Sequence, residues 1–264
     1  MAYASADLLS TPLPSTRARS RLYTTRAIGL AACLALVSGL SFAGSKGTDG
    51  RTHVKRLPAQ VATARHSDEA VESWRGHDMN DLTQRYWRWL FSIPYGVSPD
   101  NDAEGVNCGL NQHGGVWFLS GPLVSSFTQP CTMPAGKAIV TAVNAFINDF
   151  PCPDPTFAPE PGQGIEEFLQ ATVAPFIDGI VQASATIDDK PVRVRRVTTG
   201  AFGFTAAADL VAFDSCVTGS PQIGISDGYM AFVDPLPPGR HVLRLQSLRS
   251  DGTTSEGVHI LTVK

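Results

Sequence analysis

The segment RHVLRLQSLRSDGTTSEGVHILTV, residues 240–263, decides the fold class. Arg240 to Leu248 and Glu256 to Val263 read as the two strands of a hairpin with an apolar face. Asp251-Gly252 between them is a hairpin turn signal, and Pro238-Gly239 opens the first strand. Centring the turn there pairs Leu243 and Leu245 with Ile260 and Val258 on an apolar face. The same register sets His241 on that face near Thr262, and His259 on the other face opposite Arg244. A loop of odd length would reverse this parity.

Outward from the hairpin the strand signals continue. Val116–Leu119, 138–147, 183–187, 192–197 and 228–233 are apolar or alternating runs bounded by Gly, Pro or Asp. In the run 192–197 the alternation breaks between Arg195 and Arg196, which predicts a bulge. Two helices interrupt the strands. The first runs from Asp78, or from Asn80, to about Phe91. Leu82, Tyr86, Trp89, Leu90 and Ile93 share one face, Trp87 and Phe91 flank it, and Asp81, Gln84, Arg85 and Arg88 form a narrow polar stripe. A helix this apolar must be covered over most of its circumference. The second spans about Ile165–Ile177, contains Pro175 and ends at Gly179. Charged residues are sparse at 17%, against 24 Gly and 19 Pro, which suits short strands and many loops. The expected fold is mainly β: a β-sandwich or jelly-roll-like single domain over 77–264, with one aromatic N-terminal helix and a second short helix.

Residues 1–43 read as a signal peptide. Arg17, Arg19, Arg21 and Arg26 precede the uncharged 16-residue run Ala27–Phe42, and Ser41-Phe42-Ala43 has the small-x-small form of a cleavage site. A membrane span needs about 20 apolar residues, so membrane association is expected only through an uncleaved leader. Leu30-Ala31-Ala32-Cys33 looks like a lipidation box but sits too early in the apolar run, so Cys33 belongs to the leader. Residues 44–76 lack periodicity and read as a flexible spacer. Cleavage after Ala43 leaves 221 residues, with 17 basic against 23 acidic side chains. That balance has no basic footprint, so no nucleic-acid partner is expected. The expected location is secreted or periplasmic. There Cys108, Cys131, Cys152 and Cys216 become disulfide candidates. Of the three possible connectivities, pairing Cys108 with Cys131 staples the flanks of the Trp117 strand. Cys152 with Cys216 then ties down the proline-rich loop 150–164.

Several phrases resemble a family of uncharacterised secreted bacterial proteins. They are Tyr86-Trp87-Arg88-Trp89 with Pro94; Pro99, Asp102, Gly105 and Cys108; Gly115-Val116-Trp117-Phe118-Leu119-Ser120-Gly121; and Cys131 with Pro134-Ala135-Gly136-Lys137-Ala138. Ala185-Thr186-Ile187-Asp188 with Pro191, and Ser226-Asp227-Gly228-Tyr229 followed by Pro235-Leu236 and Pro238-Gly239-Arg240-His241, complete the set. The resemblance spans Tyr86 to the C-terminus and implies export, but no reaction. Asp188-Asp189-Lys190 departs from the Asp-Gly turn of that pattern.

Motifs with chemistry are few. Asp100, Asp102 and Glu104, with Gly105 sixth from Asp100, resemble the first half of a calcium loop, which makes Ca2+ the one candidate cofactor. The twelfth position is Asn111, so a complete EF-hand loop is absent. His113 lies in a turn, and Asn144 is polar within an apolar strand; with Asp102 and Trp117 they form the candidate ligand-binding set. Trp74, Trp87, Tyr95 and Trp117 admit carbohydrate stacking as well as core packing. No His-Glu-x-x-His occurs. Asp149, Asp154, Asp209, Asp214 and Asp227 are candidate acid/base carboxylates without a sequence-based pairing. The leading expectation is a non-catalytic binding or structural protein engaging carbohydrate, calcium or an envelope component. The alternative is a secreted hydrolase or metal-dependent enzyme built on the sandwich, for which no catalytic residue is assigned. Convergence of Asp102, His113 and Asn144 on one concave site would favour the enzyme.

Overall fold

The computed structural model describes residues 73–264. The expected signal peptide and most of the spacer lie outside them. In chain order the elements are β1 (Ser73–Trp74), β2 (His77–Asp78), α1 (Met79–Phe91), β3 (Val116–Leu119), β4 (Ser126–Met133), β5 (Ala138–Phe150) and α2 (Ile165–Asp178). Then follow β6 (Ile180–Ile187), β7 (Lys190–Pro191), β8 (Arg193–Thr198), β9 (Phe202–Thr205), β10 (Pro221–Val233), β11 (Gly239–Arg249) and β12 (Thr254–Val263).

Two mixed sheets pack as a sandwich. One has the order β3-β5-β10-β8, with β9 also beside β10; the other is β4-β12-β11-β6-β7. Among the described residues, β3 with β5 and β4 with β12 are the parallel pairs. Between the sheets lie Leu119, Ile139, Ala231, Leu243, Leu245 and Leu261, all buried. The outer face of the first sheet is covered by α1, whose Tyr86, Trp87, Leu90 and Phe91 pack with Phe118, Val140, Phe204 and Phe232. On the opposite face α2 buries Phe168, Leu169, Val173 and Ile177 against Phe146 and Ile225.

Local chemistry explains the helices. Asp78 caps α1, its carboxylate accepting the Asn80 N–H at 2.8 Å. The apolar circumference expected for this helix is buried from Met79 to Phe91, while Asp81 and Arg88 stay exposed. Trp74 is buried against Phe232, so the last residues assigned to the spacer already belong to the folded unit, in the β1–β2 ribbon.

Three expectations change. First, β8 keeps an unbroken register with β10 through Arg195 and Arg196, and no bulge forms there. Val194 faces the second sheet while Val197 faces α1. A strand covered on both faces needs no bulge to explain apolar residues of both parities. The bulge sits in β5 instead, where Asn144 faces Tyr229 but Ala142 faces Met230, leaving Val143 extra. Second, β4 carried no strand signal because Pro130 interrupts it; it lies at the sheet edge, the position where Pro is tolerated. Third, the last pair of the C-terminal hairpin is Leu248 with Thr254, which leaves an odd number of residues, 249–253, beyond it. Leu243 therefore faces His259 rather than Ile260, and Leu245 faces Gly257. His259 thereby moves onto the interior face. His241 faces Leu261 and is held by Asp188 (Nδ1 to Oδ2 2.7 Å). Asp188 and Asp189, with φ of 47° and 63°, themselves make the two-residue turn between β6 and β7.

The disulfides are Cys108–Cys131 and Cys152–Cys216. They place the folded chain in an oxidising, extracytoplasmic environment.

Candidate functional site

β3 pairs with β5 only over 138–141, and the chain then leaves through Ser120 to cross to the second sheet. Beside the departing chain a cleft of about 140 Å³ opens along β5 from Thr141 to Phe146. Ala142 to Ala145 are half-buried there, although the residues on either side of them are buried. Tyr86, Trp87 and Leu90 of α1 form one wall; Phe127, Leu245, Gly257 and His259 form the other; Leu123 and Val124 stand exposed at the rim. Phe127 fits because of two glycines: a Cβ on Gly121 or on Gly257 would lie 2.3 or 2.6 Å from its ring.

Two polar groups converge on these walls. In the first, the Tyr86 hydroxyl donates to Ser120 Oγ at 3.2 Å, and Ser120 Oγ donates to Asp100 Oδ1. Burial pushes the Asp100 carboxyl up to about 7, partly offset by the Ser120 hydrogen bond. Burial, and next the Asp100 charge, push the Tyr86 phenol up as well. The second is His259, fully buried at 0% exposure, with neither ring nitrogen hydrogen-bonded among the described residues. Its imidazole meets the Phe127 ring edge-on at 5.2 Å. Burial lowers its pKa to about 4, so the ring is neutral at pH 7.

The expected site residues separate. Asn144 lines the cleft, its amide donating to Ser247 Oγ at 3.3 Å, and Asp100 lines it through Ser120. Asp102 is buried elsewhere and accepts the Asn107 N–H at 2.6 Å, which shapes its own loop. Glu104 and His113 are exposed. Trp117 is a core residue between the sheets. Among the described residues, no three His, Cys, Asp or Glu side chains are placed to hold a metal, so Asp100, Asp102 and Glu104 do not converge. Gly105 has a packing reason instead: at φ +67°, a Cβ there would lie 1.8 Å from the Pro130 carbonyl oxygen. Trp74, Trp87 and Trp117 are buried, and the Tyr95 ring lies tilted against Phe213 with centroids 5.7 Å apart.

A second polar cluster lies away from the cleft. Asp149 is pushed up to about 7 by burial and by Asp214, and the Gln222 amide donates to it at 2.6 Å. The same amide donates to the carbonyls of Pro151 and Cys216, at 2.9 and 2.8 Å, which closes this cluster as an internal clamp. Asp209 is exposed, and Asp227 is held by Arg196.

No family model, curated protein or solved structure matches the chain.

Sequence reasoning missed His259 because hairpin parity hides it, and Ser120 because its partner Asp100 is 20 residues away in the chain. The buried imidazole has a measurable signature. In the unfolded chain it takes a proton near pH 6.5, in the folded chain only near 4. The unfolded state therefore binds more protons between those values. The contribution of His259 is fully present above pH 6.5 and is lost as pH falls to 4. His259→Leu is expected to gain on the native chain by on the order of 3 kcal/mol between pH 7 and pH 4, read by urea unfolding at both. A pH-independent difference would show that the imidazole is not held neutral.

Proposed function

We propose that the chain is an exported, non-catalytic binding protein that takes a small molecule in the cleft between α1, β5 and β12. The observation that carries this reading is the pair of unpartnered nitrogens on a fully buried His259 lining that cleft. A buried polar group left unpaired costs about 1–3 kcal/mol, a cost that a ligand hydrogen bond would remove. Export to the exterior or periplasm is supported by the leader pattern and by the two disulfides. The separation of Asp102, His113 and Asn144 favours binding over the hydrolase alternative. Burial of Trp74, Trp87 and Trp117 gives less support to a carbohydrate partner than to another small molecule.

The test is thermal unfolding of the mature chain with phenol, benzylamine, benzoate, glucose and Ca2+ added singly, beside Ser255→Phe. Ser255 lines the cleft and is half-buried, so Phe there obstructs it. At a hundredfold excess over Kd, a binding compound adds about 2.7 kcal/mol to stability. At least one organic probe is expected to raise Tm in the native chain and to lose that effect in Ser255→Phe. No shift with any of them, or a shift that survives the substitution, would overturn the reading.

A further inference from the structure

Resting on that binding reading, we infer that the cleft selects an uncharged, one-ring molecule bearing a hydroxyl group, its ring against the apolar walls and its hydroxyl on the His259 imidazole. The size of the cleft sets the first limit. A cavity of about 150 Å³ lined by Leu, Ile and Phe holds benzene, and this one is about 140 Å³. The walls set the second. Leu90, Phe127, Val143, Phe146 and Leu245 offer no hydrogen bonds, and the polar side chains Ser120, Asn144 and Ser255 are already bonded, to Asp100, Ser247 and Ser247. A polyol would have to compete with those bonds, at about 1–3 kcal/mol for each hydroxyl left unpaired.

Charge sets the third limit. Among the described residues no Lys or Arg lines the cleft, so a carboxylate or phosphate would enter without a counter-ion from them. The one carboxyl present, Asp100, is already bonded by Ser120, which in turn accepts from Tyr86. An ammonium would have to displace that chain. What remains unsatisfied is His259: a neutral imidazole has one N–H donor and one bare acceptor nitrogen. A hydroxyl can donate to one or accept from the other, whichever tautomer is present. A hydrocarbon ring does neither.

The experiment measures the affinities of the mature chain for phenol, toluene, benzoate, benzylamine and glucose by calorimetry at pH 7.5, with His259→Leu alongside. Phenol is expected to bind at least tenfold tighter than toluene. His259→Leu is expected to erase that preference while keeping toluene binding. A second readout is independent of the variant: on phenol binding, the ring-nitrogen NMR signals of His259 are expected to shift in the native chain. Equal affinity for phenol and toluene, or unmoved His259 nitrogens with phenol bound, would overturn the assignment. Tighter binding of benzoate, benzylamine or glucose would overturn this ligand class and leave the binding reading intact. Failure of all five compounds to bind would overturn both.

Discussion

Replacing Arg196 by Met is expected to cost about 2–4 kcal/mol, somewhat less than the loss of one partner of a fully buried ion pair, because the Arg196 side chain is 35% exposed. Asp227 on β10 is 1% exposed, and Arg196 on the neighbouring β8 grips it with two bonds, Nε to Oδ1 at 3.0 Å and Nη2 to Oδ2 at 2.6 Å. Thr198 adds a hydroxyl at 3.2 Å. Without the guanidinium, a carboxylate charge is left in the interior with one neutral donor. The second contact of Arg196, to Asp178 at 2.6 Å, involves a carboxylate that is 61% exposed and contributes little. Tm is expected to fall by roughly 10 °C. The double substitution Arg196→Met with Asp227→Leu is expected to recover most of the loss, because no charge then remains buried. Chemical unfolding of the two variants decides it. A loss below about 1 kcal/mol in the single variant would mean that the pair behaves as a surface contact.

What the sequence made legible follows physical period. α1 carries eight buried side chains on a helical repeat and a carboxylate at its first turn, signals that tertiary context does not reverse. The strands β5 and β10 are longer than their apolar runs, because pairing extends them through Asp149 and Gln222, which hydrogen-bond to each other. Parity was not legible. A strand repeats every two residues, so one residue more or less in the 249–253 turn exchanges its faces. That single residue decides whether His259 meets solvent or Leu243. The site was half legible for the same kind of reason. Asn144 is conspicuous as a polar residue in an apolar run. The link between Asp100 and Ser120 crosses from one loop to another and has no local signature. The calcium-like spacing of 100–105 also follows the outline of a tight loop, whose glycine is required by the Pro130 carbonyl.

Removal of the Cys152–Cys216 disulfide, with both cysteines changed to Ser, is expected to cost about 4 kcal/mol; removal of Cys108–Cys131 is expected to cost about 3. The difference follows from loop length: the first bond spans 64 residues and the second 23, and the unfolded chain gains more freedom from opening the longer loop. The longer bond also anchors the proline-rich segment, but not alone. Gln222 reaches the carbonyls of Pro151 and Cys216 on either side of it, so the folded loop retains a tether when the sulfurs are gone. The Cys-free loop is therefore expected to stay docked in the native state, and the cost to appear as lowered stability of the whole domain rather than as local fraying. Urea unfolding of the two double variants, followed by tryptophan fluorescence and by hydrogen exchange at residues 150–164, separates these outcomes. Equal losses in both variants would contradict the chain-entropy account. Fast exchange confined to the loop, with global stability unchanged, would mean that the disulfide holds only the segment it closes.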